Sequence, residues 1–559
     1  MIAAPTGVGK SEAAARHVAE VNNAIVLADR HESIEQFTAT VEKYGGSVGR
    51  VLPLDGQING VPNCLHPDII GVWQMKGYSY RAGFCPQGQC CERQANPDEC
   101  PFLASIDALE EAPTIAATKA LAKSPQFFAQ YGNPRRETVI IDEDPIGMLR
   151  PLVEINRPDL THYLKAIKRI VAFFRQKSIA EAEVVACHYE KAGSWIWDTI
   201  QKQDANAALL AVDIPSLVTR VKSSLPKKAL AQGKQMLDKL FRKLMRRDPL
   251  GTVRNVTRDL TDLKRAAGKV IFANSEKVIF HVQTRIPRGK CVFILDATAN
   301  ADLLRPLFPG SEIEVLCGER VRPAGRVIQF MDFNGPRSYL NKHPKKLTRI
   351  IDAIGDLYPT GTIVLISHAS CVEELKKASR HAGRIRTAYY GALRGRNDLE
   401  DSRDNPIACH IVAGSPKTTD EDRQQLALAV YGRTILPFPE LEDVRCPVIG
   451  RLPSELIEDD GDGDTQQLWE VKLKGYRDPR MQAVYDHTVT AELTHAADRA
   501  RVLTHRNAAV FLVTSEPCPR LWFAEKCYAG DLLDLSGAKR SDFQQNYAAY
   551  EAKSIELLD

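Results

Sequence analysis

One octapeptide restricts this chain more than any other feature. It is Ala4-Pro5-Thr6-Gly7-Val8-Gly9-Lys10-Ser11, followed at once by a helical pattern over residues 12–21. It fits the Walker A pattern with alanine in first place. Glycines at 7 and 9 let backbone N–H groups, including those of Thr6 and Val8, close around phosphate oxygens. Lys10 would reach the outer phosphates and Ser11 would bind Mg²⁺. The helix behind the loop adds a dipole that favours the same anion. A chance glycine-rich turn would not need that helix. The remaining sequence continues in short apolar runs, most followed by an amphipathic helix. Ala24–Ala28 reads as a strand with a helix at 33–44 behind it, and 138–141, Cys291–Leu295, Thr362–Ser367 and 410–413 read in the same style. Continuous Val/Ile/Leu runs suit parallel strands covered on both faces, so the fold class is α/β.

A second motif sits at the end of one of these strands: Val139-Ile140-Ile141-Asp142-Glu143-Asp144-Pro145. An apolar strand ending in carboxylates is common and weak alone. Beside a Walker A loop it reads as Walker B, with Asp142 holding Mg²⁺ and Glu143 orienting and deprotonating the attacking water.

At 559 residues the chain has room for three or four domains. A hydrophobic share of 44% with 26% charged residues is that of folded protein, which argues against a largely disordered chain. No apolar run approaches a membrane span, and the first residues lack the basic leader and long apolar core of a signal peptide, so the expected compartment is the cytoplasm with no membrane partner. Net charge is only +4, but residues 219–265 hold fourteen Lys and Arg against four Asp, leaving −6 for the rest. That stretch reads either as a tract for phosphates or as a solvated helix face. The acidic tract 458–464 reads as a surface loop, because its spacing does not fit a calcium loop.

Two regions break the α/β rhythm. Residues 55–105 are rich in Gly, Pro, Asn and Cys with little periodicity, and five of the thirteen cysteines fall there: Cys64, Cys85, Cys90, Cys91 and Cys100. A tight cysteine group in a cytosolic chain points to metal, and four thiolates can hold either [4Fe–4S] or Zn²⁺. The spacing lacks the paired C-x₂-C of a zinc ribbon. Cys90 and Cys91 are adjacent and do not easily both ligate, so the set is Cys64, Cys85, Cys100 and one of that pair, Cys90 preferred. His66 reads as a bystander. Residues 151–265 read as helices with almost no strand pattern, for example 160–176 and 227–246; Trp195 and Trp197 there read as packing, with base stacking the other reading.

Taken together, APTGVGKS and IIDED resemble motifs I and II of superfamily 2 helicases, and a cysteine-rich stretch between them resembles the XPD/DinG family of iron–sulfur helicases. The likeness continues in order: Ala117-Thr118-Lys119-Ala120-Leu121 before motif II, Leu295-Asp296-Ala297-Thr298-Ala299-Asn300 as motif III, 363–368 as motif IV, Gly391-Ala392-Leu393-Arg394-Gly395-Arg396-Asn397 as motif V, and Glu492 to Arg501 as motif VI. The resemblance implies two RecA-like P-loop domains, the first carrying a Cys-rich metal-cluster insertion and a helical, arch-like insertion. The expected division is 1–150 with the Cys-rich part at about 55–105, the helical insertion at 151–265, the rest of the first domain at 266–328, and the second domain at 329–559. The placement of the cysteines favours iron over zinc, with Cys64, Cys85, Cys90 and Cys100 as the [4Fe–4S] ligands. ATP with Mg²⁺ would sit between the domains. Arg499, in register with the family's first motif VI arginine, would reach the γ-phosphate from the second, and Arg501 stands one place early for the family's second.

Three departures stand out. The family has segments upstream of motif I, including a glutamine motif that reads adenine; here motif I lies at the start of the sequence. Motif II continues Asp144-Pro145 where the family has Ala-His, which removes the histidine that couples ATP to DNA. Motif VI has His495 for the usual Gln and Asp498 for the usual Gly. The implied activity is ATP-driven translocation on single-stranded DNA, 5′→3′ in the family, with unwinding of forked duplex. A nucleic-acid-dependent ATPase that does not separate strands, and a metal-bound scaffold with a degenerate ATP site, are the other readings.

Overall fold

The computed structural model describes residues 2–3, 9–58, 60–75, 100–124, 127–132, 134–159, 210–213, 265–266, 270–273, 276–317, 324–330, 335–393, 406–451, 466–502, 505–516 and 525–527, with single positions at 161, 168, 172, 190, 194, 195, 198, 262, 333 and 399. Thr6, Gly7, Val8, Cys85, Cys90, Cys91, Trp197, Arg394, Arg396, the tract 458–464 and nearly all of 160–264 lie outside them.

Two parallel sheets organise the chain, an arrangement consistent with RecA-like domains. The first has seven strands, in the order Leu316–Cys317, Ile2–Ala3, Cys291–Leu295, Thr138–Asp142, Ala24–Ala28, Ile115–Thr118 and Gly49–Arg50, every neighbouring pair parallel. Ala24–Ala28 is buried along its whole length, as its unbroken apolar run requires of a central strand covered on both faces. The helices Lys10–Val21 and His31–Lys43 cover one face through Ala15, Val18, Ile34 and Val41.

The second sheet has six parallel strands, in the order Ile385–Tyr389, Thr362–Ser367, Ile407–Ala413, Ala509–Val513, Arg326–Phe330 and Glu525–Cys527. The strand Arg326–Phe330 straddles the expected boundary at 328/329 and belongs to this sheet. The helix Pro344–Leu357 packs on the sheet through Leu347, Ile350, Ile351 and Ile354, the i, i+3, i+4, i+7 stripe of an amphipathic helix.

The structure departs from the sequence reading after motif II. Leu152–Asn156 and Leu210–Asp213, both inside the span read as almost strandless, are strands. With Val270–Ala273 and Lys277–His281 they form a four-stranded antiparallel sheet. This sheet joins the entry and exit of the 151–265 segment, so residues 270–281 are part of it and not of the seven-stranded sheet. No helix among the described residues is long and apolar enough to cross a membrane.

One buried cation has a structural role the sequence does not announce. Arg136 is 1% exposed, and its guanidinium donates to the carbonyls of Leu109, Ala112, Pro113 and Tyr131. Leu109 lies in the last turn of the helix Pro101–Glu111, where carbonyls lack intrahelical partners. Arg136→Ala would leave several buried acceptors unmet. It should cost about 2–3 kcal/mol, read as a lower midpoint of the first thermal transition. Arg136→Lys should not restore it, because an ammonium lacks the planar fork. An unchanged midpoint in both would remove this role.

Candidate functional site

The register of the first sheet brings motifs I, II and III to one edge. Ile2 pairs with Leu295 and Leu295 pairs with Asp142, all parallel, so the strand that precedes motif I, the acids after Ile141 and the turn after Leu295 end side by side. The helix Lys10–Val21 begins at Gly9, which stands at φ +86° and supplies no side-chain cap. A left-handed residue there favours glycine, and a helix N-terminus favours an anion. Glu143 stands at φ +63° and donates its N–H to Leu295 O at 3.0 Å. For a glutamate the left-handed region costs roughly 1–2 kcal/mol. Such outliers collect where a side chain has to be aimed. Asp296 is buried and accepts from the Thr298 N–H at 2.7 Å and the Thr298 hydroxyl at 2.8 Å.

Lys10 gathers the charges of the site. Burial holds its ammonium below the usual lysine range, against the charges of Asp498, Asp296, Asp142 and Glu143, which raise it. Three of these acids come from the first sheet and Asp498 from the second domain. Burial also raises Asp142 above the usual carboxylate range. Lys119 and Lys10 oppose that shift, while Asp29 and Asp296 add to it. A half-buried carboxylate among further acids is chemistry that a divalent cation would suit. Among the described residues no three His, Cys, Asp or Glu side chains form a metal-binding group. A Mg²⁺ site, which takes one or two protein carboxylates and completes its shell with phosphate and water, needs no such cage.

The second domain meets this edge through two helices, Pro479–Thr488 and Thr490–Asp498. His495 Nε2 lies 3.4 Å from the Thr298 hydroxyl, a contact between motifs VI and III. Asp498 and Arg499 close the second helix and are 5% and 4% exposed. Arg501 follows at φ +53°, in the turn that leaves the helix, and is only half-buried. Glu492 accepts from the Gly391 N–H at 2.9 Å and ties motif VI to motif V. Further from the site, Arg150 donates to Ala429 O at 2.8 Å, and the Tyr431 hydroxyl donates to Asp302 O at 3.3 Å. The two domains therefore meet through several polar contacts and a shared apolar cluster.

Sequence reasoning missed part of this site. Lys119 is nearly fully buried; its ammonium lies 3.1 Å from Asp29 and donates to Asp144 O at 3.0 Å. His487 Nε2 of the second domain lies 3.4 Å from the Asp144 carboxylate. Neither Asp29 nor His487 stands in a recognisable motif, and Lys119 could be flagged only by its place before motif II.

Of the five cysteines in the 55–105 stretch, Cys64 and Cys100 are described. The Cys100 thiol lies 3.7 Å from Asn63 O, which also accepts from Phe102 N–H at 3.2 Å, and His66 N–H lies 3.4 Å from Cys64 Sγ. Two segments far apart in sequence are thus stitched at the Asn63 carbonyl, which the Cys100 thiol also reaches.

The fold and this edge define an α/β chain of two parallel-sheet domains whose junction carries Lys10 and a set of carboxylates. No protein-family model and no curated protein matches it. Among solved structures it is similar to an XPD helicase, with 12% identity, coverage of 94% of this chain and 96% of that chain, and a TM-score of 0.46. It is also similar to Xpd4 of S. tokodaii, with 10% identity, coverage of 92% and 91%, and a TM-score of 0.44.

Proposed function

We propose that this chain hydrolyses ATP at the junction of its two parallel-sheet domains and uses the cycle to move on single-stranded DNA and open duplex. The observation that carries the reading is the surroundings of Lys10: a Walker A lysine within electrostatic reach of Asp142, Glu143 and Asp296 from one domain and Asp498 from the other. A site built from both domains changes when they open or close, which is what turns hydrolysis into movement.

In this reading the backbone from Thr6 to Ser11 cradles the phosphates and Lys10 neutralises their outer oxygens. Asp142 and Ser11 hold Mg²⁺, which when bound offsets charge on the β- and γ-oxygens. Glu143, aimed by its left-handed backbone, takes a proton from the attacking water. Arg499 stabilises charge on the transferring phosphoryl group from across the junction. The 5′→3′ direction rests on the resemblance alone.

ATP turnover of the purified chain, with and without single-stranded DNA, tests the ATPase reading; no turnover would leave a scaffold. A forked-duplex assay with 5′ and 3′ tails then tests strand separation and its direction. Arg499→Ala should lower turnover about 100-fold while fluorescent nucleotide still binds. Unchanged turnover would send the role to Arg501.

A further inference from the structure

Motif II ends in Asp144-Pro145, without the histidine expected there, yet the structure brings a histidine to the same place from the other domain. Asp144 divides its two carboxylate oxygens. Oδ1 accepts from Ile146 N–H at 2.8 Å and caps its own turn, while Oδ2 lies 3.4 Å from His487 Nε2. The side chains are 13% and 11% exposed, so this is not a solvent-screened surface pair of little worth.

Both partners are held by their own domains. Asp144 is fixed through its carbonyl by Lys119, which is in turn paired with Asp29 at the end of the strand Ala24–Ala28. His487 rides near the end of the helix Pro479–Thr488, whose Met481, Ala483, Val484 and Tyr485 are buried. The Tyr485 hydroxyl donates to Glu516 at 3.0 Å, which anchors the helix to the end of the strand Ala509–Val513. The same helix packs on Ala301–Leu304, just after motif III. A contact between two rigidly held groups, one residue from Glu143, senses the separation of the domains.

We infer that Asp144 and His487 are a pair of positioning residues that bridges the domains, the acid on motif II and the histidine on the second domain. This rests on the function proposed above. His495, which occupies the motif VI position, is engaged with Thr298 instead, so the bridge is carried by a residue outside every helicase motif. The pair touches no reacting atom. Its task is to make the closed junction depend on both domains.

The test is a double-mutant cycle on the full chain with Asp144→Asn, His487→Ala, both together, and the exchanged pair Asp144→His/His487→Asp. Steady-state ATP turnover with and without oligo-dT, and thermal unfolding, are measured for each. Each single change should lower DNA-stimulated kcat on the order of tenfold, with KM for ATP and DNA-free turnover little changed. The double variant should be no worse than the singles, and the exchanged pair should recover part of the loss. Additive losses, or His487→Ala with full stimulation and no thermal coupling, overturn the bridge. Should the unaltered chain show no DNA-stimulated turnover, the helicase reading fails; non-additive thermal shifts in the same cycle would then still support the bridge, and additive ones would overturn it too.

Discussion

Glu143→Gln should leave nucleotide binding intact and slow ATP hydrolysis by about 1000-fold, within the range that general-base removal covers. The amide keeps the size and the left-handed backbone at φ +63°, so the loop geometry survives. Asp142 and Ser11 are untouched, so Mg²⁺ and ATP still have their ligands. What is lost is the group that takes the proton from water. Lys10→Ala should behave differently. It removes a cation set among Asp498, Asp296, Asp142 and Glu143, and leaves those acids facing the incoming phosphates. Binding and turnover should therefore fall together. Fluorescent-nucleotide titration beside steady-state turnover separates the two outcomes. A Glu143→Gln chain that hydrolyses ATP at the normal rate would show that the acids after Ile141 are not the base and metal ligand proposed here.

Much of this site was legible because its parts are local. A phosphate loop, an apolar strand ending in acids and the turn after Leu295 each declare themselves over a few residues, and parallel register then brings their ends together without further information. The unbroken run Ala24-Ile25-Val26-Leu27-Ala28 is legible for the same reason, since a strand buried on both faces has no polar positions to confuse its period. The antiparallel sheet was not. Leu152–Asn156 pairs with Lys277–His281 across more than a hundred residues, leaves Leu152 exposed, and buries only Ile155 fully. Its apolar pattern is too short to separate from the helical periodicity around it. The long hairpin of Glu442–Arg451 and Gln466–Gly475 was also missed, although Trp469, Val471 and Leu473 alternate with Glu470, Lys472 and Lys474. The polar contacts across the junction were the least legible. His487 and Asp144 meet only because two sheets meet, and no spacing in a sequence encodes that.

If the cysteine-rich segment holds a metal, as the resemblance implies, Cys64→Ser and Cys100→Ser should each remove it and abolish strand separation while ATP binding survives. The segment that holds these cysteines has little apolar periodicity, so its fold should depend on its ligands. The seven-stranded sheet is packed on one face by its own helices through Ala15, Val18, Val26, Ile34, Val41 and Ile140 and should not. Cys64 follows Asn63 in the chain and the Cys100 thiol lies 3.7 Å from the Asn63 carbonyl, so if both are ligands, losing either thiol should release the same ion or cluster, not half of it. Cys409 is the matched control. It is buried in the second domain, and burial pushes its thiol up to about 12, so it stays protonated and offers no ligand. Cys409→Ser should leave metal content unchanged, whatever it costs in packing. Iron, labile sulfide and zinc measured after anaerobic purification decide the chemistry. About four irons and four sulfides per chain are expected for a [4Fe–4S] cluster held by four thiolates. Stoichiometric zinc without labile sulfide would overturn the iron–sulfur assignment and leave a zinc-organised insertion. Metal content that neither cysteine change alters would move the site away from the Asn63 carbonyl altogether. Retained fork unwinding after metal loss would separate the insertion from the work of splitting the duplex, and leave that work to the two sheets and the junction between them.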